Sequence, residues 1–156
     1  MTAAPPWLDE AKDRIVRFEG EVRDDAGRHK LYRCPAGKMT IGHGHNVDDL
    51  GLSDAVANLI LEEDLRDALA ELDQHIPWWR DQPREVGIVL LDMIFNMGWG
   101  DGLRGLSSFR AMLPALRAQQ YEYAARLLLR SKYARDTGDR AKANASLLER
   151  AASGAN

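Results

Sequence analysis

Residues 34–45 read CPAGKMTIGHGH, which brings a cysteine, a threonine, two histidines and three glycines into one short stretch. Three kinds of chemistry fit these residue types. His43 and His45 lie two apart, so on a strand they share a face and could begin a metal clip. Cys34 could be a nucleophile served by one of those histidines as its base. Thr40 and the glycines could floor a polymer-binding cleft, where glycine lets backbone approach a ligand closely. The metal reading lacks ligands: His29 and His75 are the other histidines, and no H-E-x-x-H or C-x-x-C spacing accompanies them. No metal site and no cofactor are expected. The thiol reading lacks a cysteine-hydrolase signature, and a lone cysteine is more often a small packed hydrophobe.

A second group with chemical promise is Glu19, in RFEG. It falls at the end of a helical stripe made by Leu8, Ala11, Ile15 and Phe18, with Gly20 as the stop. A helix C-terminus carries roughly half a negative charge, which disfavours an ionised carboxylate there. Apolar neighbours such as Phe18 would add desolvation. A carboxylic acid that keeps its proton is what protonating a glycosidic oxygen requires. The alternative is a plain surface glutamate at a frayed helix end.

The elements that must position these groups follow from pattern. Leu8–Glu19 is predicted to be helical. Glycines, Pro35 and the short runs His29–Arg33 and Lys38–Ile41 predict small hairpins next. Ser53 is a good N-cap for a long helix through about His75, with Val56, Leu59, Ile60, Leu65, Ala68, Leu69 and Leu72 as its buried face. Pro77 ends it. The run Arg84–Met97 is apolar almost all round, as a central helix enclosed by others should be. A glycine-rich loop follows, then a segment capped by Ser107 or Ser108 and limited or kinked by Pro114. Tyr121–Arg130 and Asp139–Arg150 complete the pattern. The expected fold class is α+β: a small β-hairpin lobe at about 20–50 and a mostly helical lobe at about 53–150 in a single domain, 1–156, with a cleft between the lobes.

Composition bounds the function. A chain of 156 residues buries about 68–70% of its unfolded surface, enough for an independent core. The single cysteine excludes an internal disulfide framework. Met1–Lys12 lacks a basic segment followed by an apolar run, so no signal peptide is expected, and the apolar stretch Val86–Phe95, broken by Asp92, is too short to span a bilayer. A net charge of −3 argues against nucleic acid as a partner. The charge is uneven: from Arg104 onward ten Lys/Arg face four Asp/Glu, a net of +6, whereas the rest holds 11 against 20, a net of −9. Such asymmetry fits an anionic ligand met mainly by the C-terminal half.

RFEG, the hairpin segment YRCPAGKMTIGHGH, the central DMIFNMG and the later RSKYARDTGDRAK together resemble the phage-type lysozymes, the muramidases of glycoside hydrolase family 24. The resemblance runs from about Ile15 to Lys142. It implies a lysozyme-like fold and cleavage of the β-1,4 bond between N-acetylmuramic acid and N-acetylglucosamine in peptidoglycan. It implies Glu19 as general acid, with Cys34 and Thr40 at the other two catalytic positions. Asn46 and Phe95 then fall at sugar-contact positions, and Arg140 in the arginine motif is expected to hold Glu19 across the cleft. His45 is expected to pair with Asp64 and pin the sheet to the long helix, leaving His43 at the cleft rim. Three departures stand out, one of them the overall acidity of the chain where many wall-cutting enzymes are basic. The extra run RDDAGR separates Glu19 from Cys34, and Asp92 and Asn96 stand where relatives often carry Asn and Gln.

The expected partner is the peptidoglycan glycan strand, met by a monomer with no stable membrane insertion. Without a signal peptide, release from the bacterial host cytoplasm would need a holin-type lesion, a phage particle or a secretion machine. Two other functions share much of this pattern: a lytic transglycosylase, and a non-catalytic wall-binding module. Thr40 and Cys34 favour hydrolysis over the former, and intact Glu19 with TIGHGH argues against the latter.

Overall fold

The structure, a computed structural model, describes residues 5–154. It is mostly helical, at 63%, with one small antiparallel sheet, the α+β arrangement of a lysozyme-like fold. The chain divides into two compact units whose boundary falls between Asn58 and Leu59, inside a continuous helix.

The N-terminal unit begins with α1 (Leu8–Phe18). A hairpin follows in which Arg23 bridges His29 and the Asp24 carboxylate accepts from the amides of Ala26 and Arg28. The sheet is β1 (Tyr32–Arg33), β2 (Met39–Ile41) and β3 (His45–Asn46), ordered β1-β2-β3. Tyr32 and Asn46 both lie opposite Thr40. The turn at Cys34–Gly37 has Pro35 second and Gly37 last, at φ +79°, with the Gly37 amide bonded to the Cys34 carbonyl at 2.8 Å. This is the turn that Pro and a left-handed Gly favour at those positions. The strands are shorter than the predicted runs because His29 is spent on the preceding hairpin.

A short helix α2 (Val47–Leu50), not anticipated from pattern, leads to α3 (Asp54–His75). Ser53 Oγ accepts from the Val56 amide at 3.4 Å, so the expected cap is in place. The expected buried face of α3 is not. Only Ala68 and Leu72 are buried, Leu65 and Leu69 are half-buried, and Val56, Leu59 and Ile60 are exposed. Among the described residues of the N-terminal unit Thr40 alone is buried, so that unit holds no apolar core of its own.

In the C-terminal unit a 3-10 turn at Pro77–Asp81 precedes α4 (Arg84–Met97), whose bounds match the apolar run. Pro83 sets its start, and Gly98 at φ +66° ends it. Val86, Val89, Leu90, Met93 and Ile94 of α4 are buried, as a central helix requires. Further on come α5 (Met112–Arg117), α6 (Tyr121–Leu129), α7 (Lys132–Thr137) and α8 (Asp139–Ser153). Pro114 sits in the first turn of α5, where its missing N–H costs nothing. Ser107 and Ser108 flank the glycine loop instead of capping α5: Ser107 Oγ accepts from the Gly102 amide, and Ser108 Oγ donates to the Gly105 carbonyl. Both α4 and α6 pack on α8. Leu72, Leu90, Leu106, Leu116, Leu128 and Leu148 are fully buried there. Each contributes roughly 1.5–3 kcal/mol of burial free energy.

Candidate active site

Glu19 is the residue at which α1 stops. Its amide still bonds the Ile15 carbonyl at 2.8 Å, while its own backbone turns extended at φ −78°, ψ 139°. The next residue is tied to the sheet, since Tyr32 Oη donates to the Gly20 carbonyl at 2.7 Å. Across from it the loop Gly42–Gly44 turns between β2 and β3. Gly44 has φ +84°, and a Cβ built on it would lie 2.6 Å from Glu19 Oε2. The Glu19 carboxylate therefore rests against the bare face of Gly44. Its expected desolvation by the α1 stripe is absent: α1 buries none of its residues, and Phe18 is 73% exposed.

Thr40 lies at the centre of the sheet, 3% exposed, and its hydroxyl donates to the Lys38 carbonyl at 3.1 Å. Cys34, at the mouth of the preceding turn, is half-buried and free. Its thiol is held below the usual cysteine range, first by the Lys38 backbone amide, against the opposing effect of burial, and further by the Ala36 amide and the Thr40 hydroxyl. A hydroxyl has one hydrogen, so Thr40 serves either Lys38 or Cys34 at a given moment. The turn and the strand register thus bring two of the residues expected to do chemistry side by side.

The remaining expected residues are placed as follows. Asn46 caps α2: its Oδ1 accepts from the Asp49 amide at 3.1 Å and its Nδ2 donates to Asp49 Oδ2 at 2.8 Å. His45 Nε2 bonds the Gly51 carbonyl at 2.6 Å, a partner that sequence reading did not name. Asp64 is exposed on α3, one turn before the buried Ala68. Phe95 is 41% exposed on α4. Arg140 lies on α8, where its Nε and Nη2 donate to the Asp92 carboxylate of α4 at 2.7–3.0 Å.

A family model described as Phage lysozyme matches residues 18–153, a span that holds Glu19, the TIGHGH loop, Asp92 and Arg140. The chain belongs to the phage lysozyme family. It is accordingly a lysozyme-type peptidoglycan hydrolase, a glycosidase-type enzyme that acts on the cell wall. No curated protein matches the chain. Among the described residues, no helix is long and apolar enough to cross a membrane.

Two arrangements in this phage-lysozyme chain escaped sequence reading. One is the polar cluster of Asp92, Arg140 and Asn144, whose Nδ2 donates to Asp92 Oδ2 at 2.7 Å. Burial acts to raise the Asp92 carboxyl, but the Arg140 and Asn144 hydrogen bonds outweigh it and hold the group below the usual carboxylate range. Its signal was the single acid interrupting the apolar α4 run. The other is the meeting of Glu21, His29 and His43, which come from three separate segments and carry no local motif. Within the C-terminal unit a groove of about 700 Å³ is lined by Asn96, Phe109, Lys132, Tyr133 and Asp136, among others.

Proposed function

We propose that the chain hydrolyses the β-1,4 bond between N-acetylmuramic acid and N-acetylglucosamine of peptidoglycan and thereby lyses bacterial walls. Glu19 in its acid form gives a proton to the glycosidic oxygen as the bond to the anomeric carbon breaks. Thr40 and Cys34 hold a water that attacks that carbon from the opposite face, and Cys34 as thiolate accepts the water's proton. The anomeric configuration inverts, as expected when a water stands between carbon and base. Phe95 offers an exposed aromatic surface to the glycan, and Asn46 keeps one amide hydrogen for a sugar hydroxyl. The observation that supports this reading is the placement of Cys34 in the turn before β2, beside the Thr40 hydroxyl that helps hold its thiol below the usual range, because such a pair is suited to orient and deprotonate water.

The same depressed thiol favours one second reading, in which Cys34 attacks the anomeric carbon itself and configuration is retained. Muropeptide mass analysis after digestion of purified peptidoglycan tests the proposal. Reducing ends that carry the added water support hydrolysis. Products lacking that water, as 1,6-anhydro ends do, would make the protein a transglycosylase. No released fragments at all would leave only wall binding.

A further inference from the structure

We propose that Glu21, His29 and His43 form a binding site for a divalent transition-metal cation of the zinc class, made of residues other than the three assigned to hydrolysis. One ligand atom from each side chain lies within 4.8 Å of the other two. Both imidazoles present Nδ1 to the same oxygen: His29 Nδ1 is 3.7 Å and His43 Nδ1 is 3.6 Å from Glu21 Oε2. These separations are too long for hydrogen bonds. They are close to what a cation imposes. With metal–ligand bonds of about 2.0–2.1 Å in a tetrahedral shell, neighbouring ligand atoms stand about 3.3 Å apart. The two histidine–glutamate separations lie within a few tenths of an ångström of that spacing, and the two ring nitrogens lie within 4.8 Å of each other.

A second observation points the same way. His29 Nδ1 is shielded from solvent and has no hydrogen-bond partner. A buried ring nitrogen left unsatisfied costs free energy that a ligand would recover. The two rings stand edge to face, 5.0 Å between centroids, so their nitrogens converge without stacking. Glu21 is already oriented as a ligand should be. Arg23 donates from Nε to Oε1 at 2.9 Å and from Nη2 to Oε2 at 3.0 Å, and is itself anchored on the Gly27 carbonyl at 2.7 Å. Each carboxylate oxygen has two lone pairs, so Oε2 can face the histidines while it accepts from Arg23. Hydrogen-bonded carboxylates and imidazoles are common outer-shell designs at metal sites. The Arg23 charge opposes a cation, which makes this a site of modest affinity.

The donor set selects the metal class. Two imidazoles and one carboxylate suit zinc, copper or nickel over magnesium or calcium, which require more oxygen ligands. Three protein ligands leave the fourth position for water. The run RDDAGR builds the site: it forms the turn of the hairpin in which Arg23 bridges His29, and so returns His29 to Glu21.

The test uses the full chain freed of metal by chelation. Zn²⁺ is expected to bind one-to-one by calorimetry, and Co²⁺ to give the intense visible bands of a four-coordinate site. Nitrogen-15 NMR of wild-type imidazoles should show Zn²⁺ shifting His29 and His43 and leaving His75 in place. His29→Ala and His43→Ala should each weaken binding at least tenfold or so, the scale of even outer-shell losses, whereas His75→Ala binds as wild type. Binding spread evenly over all four histidines, binding that survives both replacements, or no saturable binding at all would overturn the site. The imidazole shifts are read on unmodified protein, so they decide the matter even if a variant folds poorly.

Discussion

Gly44 leaves the space that the Glu19 carboxylate occupies: a Cβ at position 44 would stand 2.6 Å from Glu19 Oε2. The atom in conflict is the far end of a flexible side chain, so the carboxylate would swing aside while the loop held. Gly44→Ala is therefore expected to reduce wall-lysing activity strongly. Its stability cost should be about 1–2 kcal/mol, from the left-handed backbone at φ +84°. Turbidity clearance and urea unfolding of the same preparation separate the two effects. Full activity in this variant would mean that the position of Glu19 against Gly44 is immaterial.

Glu19→Gln keeps shape and removes the transferable proton. We expect lysis to fall by about 10²–10⁴-fold, the usual worth of general acid catalysis, with an unchanged melting temperature. A Gln variant that clears walls at near wild-type rate would remove Glu19 from the mechanism.

Cys34 separates the two hydrolytic routes. If it serves a water held by Thr40, Cys34→Asp stays active, Cys34→Ala is impaired yet measurable, and Thr40→Ala is damaged to a similar degree. If it is the nucleophile, Cys34→Ala is as inactive as Glu19→Gln. Proton NMR of the first-formed anomer on a defined glycan decides: an α product fits inversion of the β-linked substrate, and a β product requires retention.

Asp92 should impose a pH dependence on stability. Its folded-state carboxyl is depressed, because the Arg140 and Asn144 hydrogen bonds overcome burial. An unfolded Asp92 takes up a proton more readily than the folded one, so its contribution is complete above about pH 4 and is lost as the pH falls through the lower folded value. Asp92→Asn is expected to cost about 1–3 kcal/mol at neutral pH, the scale of hydrogen bonds to a charged group. The cost should shrink in acid. Urea unfolding of both proteins at neutral and acidic pH measures it, and an equal difference at both would exclude Asp92 as the titrating group.

Chelation is expected to leave glycan hydrolysis unchanged, since neither proton transfer from Glu19 nor water positioning by Thr40 and Cys34 employs a metal. Loss of activity in EDTA with recovery on adding zinc would make the Glu21–His29–His43 cluster part of the reaction.

Local signals in the chain were strong enough to determine several elements by themselves. The bounds of α4 follow from Pro83, an apolar run and Gly98, and the start of α3 follows from Ser53, because caps and breakers act within one helical turn. The positions of Glu19, Cys34 and Thr40 are likewise readable as motif. Only the tertiary structure decided what these residues touch. Asp92 and Arg140 are 48 residues apart, and Glu21, His29 and His43 meet only because two turns bring their segments back on each other. Asn46, readable as a ligand contact, also caps α2, a helix of four residues that no local pattern announces. The burial of α3 was misjudged for the same reason: periodicity reports which residues share a face, whereas burial depends on what other elements bring to that face.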